Sequence, residues 1–555
     1  MSKSRTKEFT AEHRRAIEAY FDEAYYLGAN PDIGRSGIDP LAHYISTGWR
    51  EGRNPSRRFD VGYYLARNTD VAAAGVDPLL HYVWSGRQEG RLALRPLDAH
   101  RSQLAAAQDP RRKALEWGGA VRNAEPIATD DLYRRLEGTA GRRGLILSVS
   151  HDDYARNTGG VQNLIGDEQR AFVRAEWSYL HVSPLFPLPM LADVRSEQEF
   201  QVGVRLDGTW IGTATVAELT SVLAKLRGRV AATEAVVHHL MGHAPELALM
   251  LIRAAGASRT IVWTHDFFTL CPSFALMRND VAFCDAPPPT SSACGVCCYG
   301  GERQGHLDRM RSFFEATRPV VMAPSAPALE FWRRHSTLPH AAAVVQPLAR
   351  LALAAPTLAD AFGREDRPIC IAHVGARVFH KGWTVFEALA LRLADDPRYS
   401  FVQLGAPNGP SMPGSIRQIP VSVTPEHRGA MIDAIAETGV DVVVSWSLWP
   451  ETFCYVAHEA LAGGAFVVTR RDAGNVWPAI AANAPDRGHV VEDEQALSAL
   501  FEGEGLGGLL SGAPRRRGAL ILGDGTFDWL RLQPTQNDDA RRRVSTRGGE
   551  VLIDG

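Results

Sequence analysis

The sequence predicts an α/β protein of two Rossmann-like lobes, preceded by a small helical repeat domain, and three observations carry this. Short apolar runs separated by helix-length segments occur in two series, one from residue 144 and one from residue 369. Such alternation is what a parallel sheet covered by helices requires. An Ala/Pro-rich stretch, 351–368, divides the series, and ahead of both one 38-residue unit occurs twice. At 555 residues the chain is too long for one compact core. The expected division is a helical repeat domain (1–95), a connector (96–143), a first lobe (144–350) with a Cys-rich loop (271–298), an interlobe linker (351–368), a second lobe (369–523) and a C-terminal tail (524–555).

The repeat comes first. Phe21-Asp22, Tyr25-Tyr26-Leu27, Asp39-Pro40-Leu41, His43-Tyr44 and Glu51-Gly52-Arg53 return as Phe59-Asp60, Tyr63-Tyr64-Leu65, Asp77-Pro78-Leu79, His81-Tyr82 and Glu89-Gly90-Arg91. Each copy reads as two short helices: Phe-Asp opens the first, and Gly-x-Asp-Pro turns the chain into the second. The aromatic pairs are expected to pack between them. His43 and His81 are read as packing residues, because no second ligand type recurs with them. The Arg/Ala/Asp-rich connector has little apolar periodicity and suits helical or irregular structure.

Strands of the first lobe are expected at Leu145–Ser150, Trp177–Val182, Val236–His239, Thr260–Thr264 and Val320–Ala323, with a hairpin over Phe200–Thr215 around LDGTW. Those of the second lobe are expected at Ile369–Val374, Ser400–Leu404, Val440–Ser445 and Ala465–Thr469. With 60 basic and 63 acidic side chains the formal net charge is −3. No global field attracts nucleic acid or anionic lipid, so anion recognition must be local. The charged start MSKSRTKEFTAEHRR lacks the apolar run of a secretion signal, and no apolar stretch reaches the ~18 residues of a membrane span. A cytoplasmic location is therefore expected, with peripheral membrane association left open.

Chemistry concentrates in a few segments. Pro450-Glu451-Thr452-Phe453-Cys454-Tyr455-Val456-Ala457-His458-Glu459-Ala460-Leu461-Ala462-Gly463-Gly464 places one carboxylate in a loop and a second inside the helix that follows. A loop feeding a helix N-terminus offers free N–H groups and a positive dipole end to a phosphate. His373-Val374-Gly375-Ala376-Arg377-Val378-Phe379-His380-Lys381-Gly382-Trp383 supplies two cations, which give charge-assisted hydrogen bonds to a diphosphate. In the first lobe, Asn157-Thr158-Gly159-Gly160-Val161-Gln162 opens a helix after the first strand, where glycines let the backbone approach a ligand. Val262-Trp263-Thr264-His265-Asp266 ends a strand, and Ala323-Pro324-Ser325 turns at the end of another.

These segments resemble family 4 glycosyltransferases, the retaining group of GT-B fold marked by an E-x7-E segment, over about residues 144–500. The resemblance implies two lobes facing across a central cleft and a nucleotide diphosphate sugar as donor. It implies that Glu451 contacts the transferred sugar near its reacting carbon and that Glu459 accepts from the nucleotide ribose. Arg377 and Lys381 would hold the donor phosphates, although Arg377 follows Gly375 by two residues where many relatives have one, and its spacing to Lys381 is a residue short. Gly159, Gly160, Phe453 and Cys454 join the donor-binding set. The His-Asp segment looks like that of bacterial capsule and O-antigen sugar transferases, which makes His265, with Glu451, a catalytic candidate; Asp266 would orient its neighbour. The resemblance also implies that no metal is required for the chemistry. The acceptor would be a glycan, a lipid-linked molecule or a protein. Repeats of the N-terminal kind look similar to segments fused to surface-polysaccharide transferases, leaving open self-association or partner docking through them. Two other readings stand beside transfer: a non-catalytic binding or scaffold protein on the same body, and a nucleotide-sugar epimerase.

Five of the seven cysteines fall between Cys271 and Cys298. Cys271, Cys284, Cys294 and Cys297 could hold a structural zinc, since thiolates are soft ligands and the Pro-rich loop has little apolar content of its own. Free thiols, or a redox or disulfide pair, are the alternatives.

Overall fold

The computed structural model describes residues 11–533 apart from 90, 92, 95–97, 118–124, 140, 158, 186–187, 195, 356–361, 363–366 and 409–411. The expectations for Gly90, Thr158, most of the linker and the end of the tail lie outside the described residues. The chain divides into two compact units, Met1–Ala106 and Ala107–Gly555.

In the first unit the two repeats fold alike. Asp22 caps helix Glu23–Ala29 by accepting from the Tyr25 amide, and Asp60 does the same for Val61–Arg67. Asp39 and Asp77 cap the helices that Pro40 and Pro78 open, and each runs on into a π-helical turn, Tyr44–Gly48 and Tyr82–Gly86. Each copy therefore has more helical pieces than the expected two, because Asn30 and Asn68 stop one helix and start the next. Buried Tyr26 and Tyr64 place their hydroxyls 2.9 Å from Nδ1 of His43 and His81. A Cβ on Gly48 or Gly86 would lie 2.2 or 2.1 Å from that hydroxyl, so each copy needs glycine there. The repeat histidines are packing residues, as expected.

The second unit holds both lobes. Strands β1 (Gly144–Val149), β2 (Trp177–Pro184), β3 (Gln201–Leu206), β4 (Thr209–Thr215), β5 (Thr233–Val237) and β6 (Arg259–Trp263) precede a small hairpin in the Cys-rich loop, β7 (Met277–Arg278) and β8 (Ala282–Phe283). With β9 (Val320–Ala323) and β10 (Ala342–Val345) they complete a sheet of order β10-β9-β6-β5-β1-β2-β3-β4. It is parallel except for the β2-β3-β4 edge, where Asp207 and Gly208, both at positive φ, make the two-residue turn of the expected hairpin. All six residues of β1 are buried, the continuous apolar run of a strand covered on both faces.

After β11 (Ala349–Leu353), the second lobe is a six-stranded parallel sheet of order β14-β13-β12-β15-β16-β17, from β12 (Ile369–Val374), β13 (Tyr399–Gly405), β14 (Ile416–Pro420), β15 (Val442–Ser445), β16 (Phe466–Arg470) and β17 (Gly488–Val491). Asp441, fully buried at the head of β15, binds Arg367 at 2.6 and 2.8 Å, Arg515 at 3.1 Å and the Cys370 amide at 2.9 Å. These are the two Rossmann-like lobes of a GT-B architecture. The chain then returns: β18 (Gly518–Leu522) pairs antiparallel with β11, and helix Thr526–Leu530 packs Phe527 on Phe172 of the first lobe at 5.1 Å. The first residues of the expected tail are thus part of the fold. Among the described residues no helix is long and apolar enough to cross a membrane.

Candidate functional site

The second-lobe half is built around Glu451. Its turn follows β15 and leads into helix Tyr455–Ala462, which no side chain caps. The Glu451 amide donates to Ala473 O, the Asn475 amide donates to Glu451 O at 2.8 Å, and Asn475 Nδ2 donates to Phe453 O at 2.9 Å. Gly474, at φ +66°, lies so close that a Cβ would sit 2.5 Å from Glu451 N and O. Cys454 takes a left-handed φ of 65° to start the helix, and Phe453 stacks on His458 at 4.5 Å.

Lys381 comes from the 3-10 turn Phe379–Lys381 after β12. The adjoining Gly382 has φ +77°, and a Cβ there would lie 1.9 Å from Trp446 O. Lys381 Nζ reaches Glu451 Oε1 at 2.6 Å, and Ser447 Oγ donates to the same oxygen at 2.9 Å. The Glu451 side chain is 8% exposed and the Lys381 side chain 39%. The carboxylate is therefore held from below while its cation partner still faces solvent and can exchange partners. Arg377 is placed differently: its guanidinium donates to Pro407 O at 2.8 Å and to Gln418 Oε1 at 2.5 Å, on the β13–β14 side of β12. It also meets Met412 Sδ at 3.6 Å and the Trp383 ring, and its hydrogen bonds go to these residues rather than to Lys381 or Glu451.

The first lobe meets this turn directly. Thr452 Oγ1 donates to His265 O at 2.6 Å, and Ser325 Oγ, in the expected turn after β9, donates to Thr452 O at 2.6 Å. The Gly159-Gly160 turn opens helix Gly160–Arg174, also without a side-chain cap. A Cβ on Gly160 would lie 3.3 Å from the ring of Tyr455, so a larger residue would press on the first residue of the second-lobe helix. Arg428 of the second lobe pairs with Asp167 of the first at 3.0 Å. Two uncapped helix N-termini thus meet where the lobes face each other, the arrangement that favours an anion.

Burial pushes the Glu459 carboxyl up to about 7, with Arg428 pulling the other way. Burial lowers His265 well below the usual imidazole range, and the neighbouring His238, His239 and His151 lower it further, so its ring is neutral. Asp266 Oδ2 lies 3.0 Å from His239 Nε2, and its Oδ1 accepts from the Phe268 amide. It therefore fixes the start of the loop rather than the His265 ring.

The zinc alternative for the cysteine cluster finds no support among the described residues. Cys271, Cys284, Cys294 and Cys297 do line one small cavity, but Arg303 lines it too, with Nη1 2.8 Å from Cys294 Sγ. Among the described residues no group of three or more ligating side chains is placed to hold a metal. The cysteines are free thiols.

Sequence reasoning missed the residues that position the named ones: Ser447 and Thr452 around Glu451, and the Gly474-Asn475 turn behind it. Only Gly474-Asn475 left a signal, a turn dipeptide after a strand.

No protein-family profile matches the sequence, and no curated protein matches it. Solved structures do resemble the chain. One is Anabaena Alr3699/HepE in complex with UDP-glucose, at 12% identity, covering 66% of this chain and 92% of that one, with a TM-score of 0.41. Others are a glycosyltransferase from Rickettsia africae, at 12% identity over 73% and 97% of the two chains with a TM-score of 0.39, and an alpha,alpha-trehalose-phosphate synthase from Burkholderia xenovorans, at 12% over 67% and 93% with a TM-score of 0.36. At such identities and scores these are likenesses only, and the functional reading rests on the site.

Proposed function

We propose that this protein is a glycosyltransferase that moves a sugar from a nucleoside diphosphate sugar, held mainly by the second lobe, to an acceptor entering from the first. The observation that carries the reading is the Lys381–Glu451 pair at the head of an uncapped helix, facing a second uncapped helix across the lobe boundary. On donor binding Lys381 exchanges its carboxylate partner for a diphosphate oxygen, and the two helix N-termini add N–H donors aimed at the same charge. As the glycosidic bond breaks, negative charge grows on the diphosphate, where these fixed donors stabilise it most. Glu451, released by Lys381 and still held by Ser447, accepts from hydroxyls of the transferred sugar. Glu459 accepts from the nucleotide ribose, and Phe453, Cys454, Gly159 and Gly160 shape the walls. Arg377 contributes through the Pro407 and Gln418 contacts that order the β13–β14 side. Retention of configuration, membership of family 4 and a place in bacterial surface-polysaccharide synthesis follow from the sequence resemblance and belong to the same proposal.

The test is a panel of nucleotide sugars with candidate acceptors, read as release of nucleoside diphosphate. Release that Glu451→Ala and Lys381→Ala each lower by about 100-fold or more supports transfer, since each removes a charged group acting on the transition state. Failure to bind any donor points to a scaffold, and donor isomerisation without transfer points to an epimerase; either sinks the reading.

A further inference from the structure

Lys381 has a second neighbour besides Glu451, and it is an aromatic ring. Trp449 stands two residues before Glu451, and Lys381 Nζ lies over its indole, 5.4 Å from the ring centroid. That is inside the reach of ~6 Å at which the negative face of an aromatic ring attracts an ammonium. The turns that carry the two side chains are also joined through the main chain, where the Leu448 amide donates to His380 O at 2.9 Å. The ammonium therefore meets both a carboxylate and an indole while its side chain stays 39% exposed.

What holds the indole comes from the other lobe. Trp449 is 5% exposed, and its buried Nε1 has no hydrogen-bond partner among the described residues. Packing, not the N–H, thus sets the orientation of the ring. Two phenyl rings of the first lobe stand against it: Phe267 at 6.1 Å and 84°, and Phe274, in the Cys-rich loop, at 6.3 Å and 88°. Near-perpendicular pairs at such separations are favourable aromatic contacts. The Phe267 amide donates to Phe274 O at 2.9 Å, which ties the two phenyl-bearing residues together. Phe274 also lies 6.2 Å from the His380 ring at 90°, so one first-lobe side chain packs on the residue before Lys381 and on the ring that Lys381 overlies.

We propose that Trp449 is a positioning residue for Lys381, whose ammonium it keeps at the donor site when Glu451 is exchanged for a diphosphate oxygen, and that Phe274 holds the indole in the orientation this requires. A lysine ammonium rides on a flexible four-carbon stem, and once released by its carboxylate it needs another restraint to stay aimed at one place. An aromatic face supplies attraction without a lone pair, so it does not compete with phosphate oxygens for the three N–H donors. The Cys-rich loop thereby gains a task in the second lobe: through Phe274 it sets the direction of a donor-site cation. The presence of a diphosphate rests on the transferase reading; the seat of Lys381 on Trp449 does not.

The test has one readout without substrate and one with it. In the full chain labelled with ¹³C-lysine, the ring current of Trp449 should move the ε-methylene proton signals of Lys381 upfield, and these are assigned by their loss in Lys381→Arg. Trp449→Leu should return them to the ordinary lysine position, Trp449→Phe should keep part of the shift, and Phe274→Ala should reduce it. Site-specific replacement of Trp449 by mono-, di- and trifluorotryptophan nearly keeps the shape of the ring while draining its face of negative charge. Donor kcat/KM should then fall stepwise along the series, by about 2- to 30-fold in all, the range of a cation–π contact. A ring that only fills space gives no such trend. A Lys381 signal at the ordinary position in wild type, a signal unmoved by Trp449→Leu or by Phe274→Ala, or donor kcat/KM flat across the fluorinated series overturns the proposal. Absence of turnover in wild type faults the transferase reading instead, and the Lys381 signal still decides the seat.

Discussion

Substituting Gly474→Ala tests how the site is held without removing any group that would touch a ligand. The residue sits at φ +66°, where a side chain costs about 1–2 kcal/mol. Its Cβ would lie 2.5 Å from Glu451 N and O, and ordinary contact begins near 3.4 Å, so the Glu451 turn must retreat by 3.4 − 2.5 = 0.9 Å. A displacement of about 1 Å at a reacting group can cost about 100-fold in rate. The conformational cost alone would lower the melting temperature by only a few degrees, at about 2–4 °C per kcal/mol. The assay is steady-state turnover on the donor identified by the nucleotide-sugar panel, beside thermal unfolding of the same preparation. The expected result is a folded protein with kcat lower by about 100-fold. Gly507→Ala is the control: a Cβ there meets nothing within 4 Å, so stability should hold or rise by up to ~1 kcal/mol with kcat unchanged. Wild-type kcat in a folded Gly474→Ala protein would refute the claim that this turn positions Glu451.

Three further outcomes are expected. Asp441→Ala strands two arginines and an amide in the second-lobe core and should lower stability by about 3–5 kcal/mol in urea denaturation; a loss under about 1 kcal/mol would contradict the buried network. Glu459 has its folded pKa raised from 4.5 to about 7 by burial, so its contribution to stability is complete below 4.5 and is lost as pH rises through about 7. Glu459→Gln should therefore melt higher than wild type at about pH 8, with the gain shrinking towards about pH 5; a gain independent of pH would rule this out. Gly86→Ala displaces the Tyr64 hydroxyl from His81 and should destabilise the repeat unit by about 1–3 kcal/mol, measured by calorimetry, whereas Gly75→Ala, in open space, should cost only its left-handed strain.

Much of this was legible in the sequence because parallel strands buried on both faces leave unmistakable runs: Leu145–Ser150 and Ile369–Val374 fall on β1 and β12 almost residue for residue. Half-buried strands left less. β10, β14 and β18 are only partly covered and carry no continuous buried run, so they read as loop, and β18 could be recognised only with its partner β11, some 165 residues earlier, in hand. At the site, Glu451 and Lys381 were visible from their surroundings in the chain, and they lie within a hydrogen bond of each other. Arg377 was not placed by spacing alone, because a shift of one residue past a glycine at positive φ turns a side chain to another face. The cysteine cluster shows the same limit: spacing brought the thiols together, but the Arg303 that shares their cavity lies in a separate helix. Phe274 and Trp449 are far apart in sequence, and nothing short of the fold joins them.

The account turns on where a diphosphate sits. A crystal structure with a non-transferable nucleotide sugar should show its diphosphate oxygens at about 2.7–3.2 Å from Lys381 Nζ and from main-chain N–H groups at the start of helix Tyr455–Ala462. A donor bound elsewhere, with Lys381 still closed on Glu451, would contradict it.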